Sequence, residues 1–103
     1  MYSNLWIEEK FEDYLGLRLK VETTLFSGKS PFQSVDIVET KGHGRVLLND
    51  GLIMVSERDE FAYHDMISHV PLFTHPNPRR VLVIGGGDGG TAREVIRHPS
   101  VET

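Results

Sequence analysis

Val81-Leu82-Val83-Ile84-Gly85-Gly86-Gly87-Asp88-Gly89-Gly90 is the stretch on which the fold turns. Its first four residues form a continuous apolar run, which reads as a strand buried on both faces, as in a parallel sheet. A glycine-rich loop follows, and Thr91 to His98 then reads as a helix stopped by Pro99. Strand, glycine loop and helix in that order make the first unit of a doubly wound α/β fold. Gly85, Gly87 and Gly90 match the spacing G-x-G-x-x-G. Glycines there let the chain turn tightly and let a ligand come close to the backbone. A bare match of this kind also fits a glycine-rich turn with no ligand.

Asp88 narrows the choice of ligand. In a dinucleotide site a pyrophosphate faces the start of the helix, and a carboxylate would oppose it. Two like charges ~4 Å apart interact by about 4 kcal/mol at an effective dielectric near 20, before screening and desolvation. The same carboxylate attracts an ammonium or sulfonium group. The loop therefore suits an adenosyl ligand with a cationic tail better than NAD or FAD. The plainer reading is that Asp88 only caps the helix, where negative charge is also favourable; the two roles are compatible.

Upstream, Ser56-Glu57-Arg58-Asp59 has capping-box spacing, with Asp in place of the usual Glu or Gln. Tyr63, Met66, Ile67 and Val70 follow at i, i+3, i+4 and i+7, which predicts a helix with an apolar stripe. Pro71 predicts a kink or break in it, and Pro76 and Pro78 lead out through Asn77. Beyond the loop, Val101-Glu102-Thr103 reads as the run-in to another strand.

Residues 1–56 read differently. Leu5 to Lys10 is a short strand. Leu17, Leu19 and Val21 alternate with polar residues and predict a strand running to Phe26, ahead of the turn signal Ser27-Gly28-Lys29-Ser30-Pro31. Val35 to Val38 mark the next strand, ending near Lys41-Gly42, and Val46 to Leu48 the one after. Asp50-Gly51 supplies the positive φ angles of a tight hairpin, so Leu52 to Val55 should return as a partner strand. The expected fold class is α/β: a small N-terminal antiparallel sheet domain (1–56), then the start of a Rossmann-like, methyltransferase-type doubly wound domain (57–103) that stops after its first βα unit.

Composition excludes several functions. With 103 residues, 39% hydrophobic and 25% charged, the chain has ordinary globular proportions. A net charge of −4 and no Lys/Arg-rich run argue against nucleic acid as a partner. There is no cysteine, hence no disulfide framework or thiolate chemistry, which suits a reducing cytoplasm. No apolar run approaches the ~20 residues of a membrane span, and Met1-Tyr2-Ser3-Asn4 does not open a secretory leader.

Four ordered segments carry a family resemblance. They are Phe32-Gln33-Ser34; Gly44-Arg45-Val46 through Asp50-Gly51; Glu57-Arg58-Asp59-Glu60-Phe61-Ala62-Tyr63-His64-Asp65-Met66 with Ser68-His69-Val70-Pro71-Leu72; and the glycine loop with Arg93-Glu94-Val95. Together they resemble the N-terminal portion of the spermidine synthases, the polyamine aminopropyltransferase family. The resemblance implies transfer of an aminopropyl group from decarboxylated S-adenosylmethionine to putrescine. It implies that Gln33 contacts the thioadenosine, although from the sequence alone Gln33 is an exposed polar residue at a strand start. It sets Tyr63 and His64 beside the polyamine and aminopropyl groups, although Tyr63 also fits a core position and His64 a structural one. Gly85, Gly86 and Gly87 would lie against the nucleoside and its sulfur-bearing tail, and Asp88 would hold the aminopropyl amine. His43, His69, His75 and His98 show no metal-site spacing with carboxylates and read as structural or surface residues. No cofactor or metal is expected, since the nucleotide is a co-substrate. The partners implied are the two substrates and further copies of the chain, as a homodimer or homotetramer. The ribose-binding acid and the catalytic Asp of the family match no residue here, so the 103 residues alone are expected to turn over nothing. Other readings stand beside this one: an aminopropyltransferase with agmatine or a longer polyamine as acceptor, a methyltransferase-like enzyme binding S-adenosylmethionine, and a non-catalytic assembly module with a degenerate loop.

Overall fold

A computed structural model describes residues 4–103. Met1, Tyr2 and Ser3, part of the segment read for a leader, lie outside the described residues. The chain divides into two compact units, 1–59 and 60–103.

The first unit is a five-stranded antiparallel meander, with strands adjacent in chain order. Its strands are β1 (Trp6–Phe11), β2 (Leu15–Lys29), β3 (Ser34–Thr40), β4 (Gly44–Asn49) and β5 (Leu52–Ser56). The first part of β2 pairs with β1, from Trp6 opposite Lys20 to Phe11 opposite Leu15. Its remainder pairs with β3, with register shifts between Val21 and Thr23 and between Thr24 and Phe26. Such shifts bend a strand and increase its twist. Alternation puts Leu19, Val21, Val38, Val46 and Leu48 into one buried cluster, with Ile7 and Ile53 packed against it. Each fully buried side chain of this kind contributes about 1.5–3 kcal/mol.

The strands expected over residues 1–56 are present: β1 lies one residue later than expected, β2 begins earlier, at Leu15, and the end of β2 moves furthest. Ser27-Gly28-Lys29 stays in β2, paired with Asp36, Val35 and Ser34. Ser27 donates from Oγ to Asp36 Oδ1 at 2.6 Å, which favours continued pairing over a turn. The turn forms at Ser30–Gln33 instead, where Ser30 Oγ accepts from the backbone N–H groups of Phe32 and Gln33. The Asp50-Gly51 hairpin has positive φ at both central residues, 52° and 78°. Asp50 also accepts from Ser34 N at 2.9 Å, fixing the hairpin to β3.

In the second unit, α1 (Glu60–Thr74) and α2 (Gly90–Val95) pack together. Ser56 and Asp59 do meet, but side chain to side chain at 2.6 Å, and the helix opens only at Glu60. Pro71 lies inside α1, which continues for three more residues. Pro71 removes the helical donor to the Ile67 carbonyl, and the turn still closes beyond it, with His75 N donating to Pro71 O at 2.9 Å.

Two expectations about burial are corrected. Tyr63, Met66, Ile67 and Val70 are all exposed, and α1 buries His64, Ser68 and Leu72 instead. An apolar stripe is buried only where something covers it; among the described residues nothing does, and α2 packs on the adjacent ridge. Val81–Ile84 is not a strand, and Leu82 and Ile84 are 83% and 90% exposed. Parallel-sense pairing begins beside it: Glu102 N donates to Arg79 O at 2.7 Å and Val81 N to Thr103 O at 2.8 Å. No described residue continues that pairing alongside Leu82–Ile84, and strand geometry requires a neighbour.

Candidate functional site

The glycine loop has positive φ at Gly85, Gly86 and Gly89. At Gly86 a Cβ would also fall 2.7 Å from Val83 Cγ1, so side chains are doubly disfavoured there. Open space surrounds the Cβ positions of Gly85 and Gly87. The loop closes on itself through Gly89 N to Gly86 O at 3.0 Å and then opens α2.

Asp88 divides its carboxylate between two tasks. Oδ1 accepts from Gly90 N at 2.9 Å, a local bond to the first residue of α2, just ahead of which Gly89 is the N-cap. Oδ2 lies 3.5 Å from His64 Nε2. His64 is 3% exposed, and its Nδ1 meets Glu60 Oε2 at 2.5 Å. The buried imidazole thus lies between two carboxylates. Gly90 makes that position available, because a Cβ on it would fall 2.2–2.4 Å from three atoms of the ring. The third glycine of the motif is therefore a socket for His64.

The network extends beyond these residues. Arg93 donates from Nη1 and Nη2 to the two oxygens of Glu60, at 3.1 and 2.9 Å, and from Nε to Glu94 at 2.7 Å. Arg97 also donates to Glu94, and His69 Nε2 lies 3.0 Å from it. His69 Nδ1 meets His98 Nε2 at 2.8 Å, with Phe73 against both rings. Hydrogen bonds from Arg93, then from His64, hold the Glu60 carboxyl below its ordinary range. Those from Arg93, Arg97 and His69 hold Glu94 down to about 2. Arg93, between two carboxylates, is raised.

Of the residues singled out in the sequence, the structure brings His64 and Asp88 together, with Gly85, Gly86 and Gly87 in the loop that leads to Asp88. Tyr63 is 62% exposed and meets the His64 ring edge-on, with centroids 5.3 Å apart. Gln33 belongs to the first unit, exposed at the β2–β3 turn, where its carbonyl accepts from Ser30 N. Sequence reasoning read Gly90 as a motif glycine without its place against His64, and missed Glu60, Arg93 and Glu94 as parts of the site. Glu60 and His64 stand one helical turn apart, which was a legible signal; Arg93 reaches Glu60 only through the fold. Asp65, His69 and Glu94 each bring one ligating atom within 4.8 Å of the others, a grouping that spacing alone did not reveal. Glu94 is already engaged by two guanidiniums, so a cation there would have to displace them.

Two family models match the chain: the spermidine synthase tetramerisation domain over residues 5–57 and the spermine/spermidine synthase domain over residues 60–103. The polyamine aminopropyltransferase of Shouchella clausii is 55% identical over 97 residues, covering 94% of this chain and 35% of that protein. That of Bacillus subtilis is 53% identical, covering 97% and 36%. A crystal structure of spermidine synthase in complex with the transition state analogue AdoDATO superposes with a TM-score of 0.95 at 49% identity, covering 98% of this chain and 35% of that one. The chain thus spans about a third of the length of these relatives, and it belongs to the spermidine synthase family.

Proposed function

We propose that the protein carrying this chain is a spermidine synthase, which transfers the aminopropyl group of decarboxylated S-adenosylmethionine to putrescine. The observation that carries this reading is Asp88, a partly exposed carboxylate at a glycine loop with one oxygen facing a buried histidine. Such a group repels a phosphate and attracts the terminal ammonium of an aminopropyl chain. The likeness to a synthase solved with a transition state analogue supports the same choice.

The reaction is a direct displacement. The neutral amine of putrescine attacks the carbon beside the sulfonium. An N–C bond forms, the C–S bond breaks, and its electron pair returns to sulfur, giving 5'-methylthioadenosine. The new ammonium loses a proton to give spermidine. The sulfonium leaves readily, so the protein's work is alignment and removal of that proton. Gly85, Gly86 and Gly87 offer open backbone for the nucleoside tail, Asp88 holds the amine, and Tyr63 and His64 border the aminopropyl group. Gln33 is the proposed thioadenosine contact. The nucleotide is consumed as a co-substrate, without a separate cofactor, in the cytoplasm. The match to a tetramerisation domain supports a homo-oligomer, a dimer or a tetramer.

A mass-spectrometric product assay tests this. Decarboxylated S-adenosylmethionine would be incubated with putrescine, agmatine or spermidine, using the 103-residue chain and the longest natural chain that carries it. Spermidine from putrescine with the longer chain is expected. Product from agmatine or spermidine alone would move the acceptor, and no product from any amine would sink the reading.

A further inference from the structure

The proposed reaction gives Glu60 no direct part, yet Glu60 is among the most heavily engaged side chains of the second unit. It opens α1, and His64 follows one turn later, so its carboxylate reaches Nδ1 along the same helix face. Arg93, from α2, grips both its oxygens. A guanidinium held in this two-pronged way fixes a carboxylate in orientation as well as place. The imidazole is then confined by Glu60 on Nδ1, by Gly90 against its atoms, and by Asp88 facing Nε2. Asp88 Oδ1 is held in turn by Gly90 N. Hydrogen bonds thus join Arg93, Glu60 and His64 in series, and the last link, from His64 Nε2 to Asp88 Oδ2, is an ion-pair distance of 3.5 Å.

We propose that Glu60 is a positioning residue for aminopropyl recognition: it accepts from Nδ1–H of His64, so that the imidazolium form of the ring turns Nε2–H towards the Asp88 carboxylate and holds it in the orientation that receives the ligand's ammonium. This rests on the function proposed above. Glu60 touches no substrate and acts only through His64. The plain alternative is that Glu60 favours the N-terminal turn of α1 and braces it to α2. That role changes stability, without distinguishing a ligand that carries the amine from one that lacks it.

The experiment compares two ligands on the longest natural chain. Calorimetry would give the affinity for decarboxylated S-adenosylmethionine, which carries the amine, and for methylthioadenosine, which lacks it. Glu60→Ala is expected to weaken the first about tenfold or more, the scale of one hydrogen bond to a charged group, and the second by less than about twofold. Glu60→Gln keeps an acceptor for Nδ1–H and should recover part of the loss. The double variant Glu60→Ala/His64→Ala should bind no worse than His64→Ala, because both act on one path. Equal weakening of the two ligands, or additive losses in the double variant, would overturn the inference. If Glu60→Ala does not fold, Glu60→Gln, close in volume, carries the same ligand comparison. A wild-type protein that makes no spermidine overturns the functional reading and this inference with it. A wild type that makes spermidine, with variants showing no ligand discrimination, overturns the inference alone.

Discussion

The two units bury different chemistry. The sheet unit closes on an aliphatic cluster, Leu19, Val21, Val38, Val46 and Leu48, with Thr40 and Ser56 as small polar residues buried beside it in the chain. The helical unit buries Leu72 and Val95 but also His64, Ser68, Glu94 and His98. An aliphatic core is held by non-directional burial, and a substitution there costs roughly the area and volume lost. A polar interior is held by directed pairs, where removing one partner leaves the other unsatisfied and costs about 1–3 kcal/mol for that group alone. The sheet unit is therefore a scaffold that tolerates drift, and the helical unit is a device whose parts depend on one another.

The largest expected effect lies in the device. Asp88→Asn keeps the shape and the acceptor for Gly90 N but removes the charge. In the longest natural chain it should lower the affinity for decarboxylated S-adenosylmethionine by about a hundredfold, the upper range for a hydrogen bond between charged groups. Methylthioadenosine should change by less than about threefold. Parallel losses for both ligands would show that Asp88 serves only the helix start. The matching change in the scaffold is Val46→Ala, at a residue with no exposed surface. It should cost about 2–3 kcal/mol by cavity formation while preserving the ratio of the two ligand affinities. A shift in that ratio would break the separation between scaffold and device.

The same contrast decides what could be read from the sequence. Period-two alternation at Leu17–Val21, short apolar segments between turn signals and the Asp50-Gly51 turn located the five strands, because each of those signals is local. The end of β2 was misjudged because Ser27 pairs with Asp36, nine residues away. In the helical unit, apolar spacing picked Tyr63, Met66, Ile67 and Val70, whereas the residues α1 buries are His64, Ser68 and Leu72. Apolar periodicity marks a face that wants cover, and it cannot say which neighbour arrives. Val81–Ile84 failed as a strand for a related reason, since pairing is a property of two segments. The loop and Asp88 were legible because glycine spacing and the sign of a charge are carried by the residues themselves. Glu60 and Arg93 were not, and Gly90 was legible only as a motif glycine, because their roles around His64 exist only once α1 and α2 meet.

Gly90→Ala tests that meeting directly. The added methyl would enter the His64 ring space, and overpacking of this kind costs about 1–3 kcal/mol. His64→Ala in the same chain should relieve most of that loss, which thermal unfolding of the single and double variants would measure. Strictly additive losses would mean that Gly90 matters for its backbone rather than for the ring beside it.

The smallest effect is expected in acid, and its direction follows from Glu94. Its carboxyl is held down to about 2 against an ordinary 4.5, first by Arg93, then by Arg97 and His69. Because the folded state holds this proton less readily than the unfolded chain, between those values the unfolded chain binds more protons. The contribution of Glu94 to stability is therefore complete above about 4.5 and is lost as the pH falls towards 2. Glu60 shifts in the same direction, so it adds to the same slope. Glu94→Gln removes the titrating group and should flatten the dependence of melting temperature on pH below 4.5, while the variant is less stable than wild type at neutral pH. Wild type and variant with the same acid slope would show that the two arginines leave Glu94 no more ionised than an ordinary surface carboxylate. The helical unit would then be held by its packing on Leu72 and Val95, as the sheet unit is by its own aliphatic core.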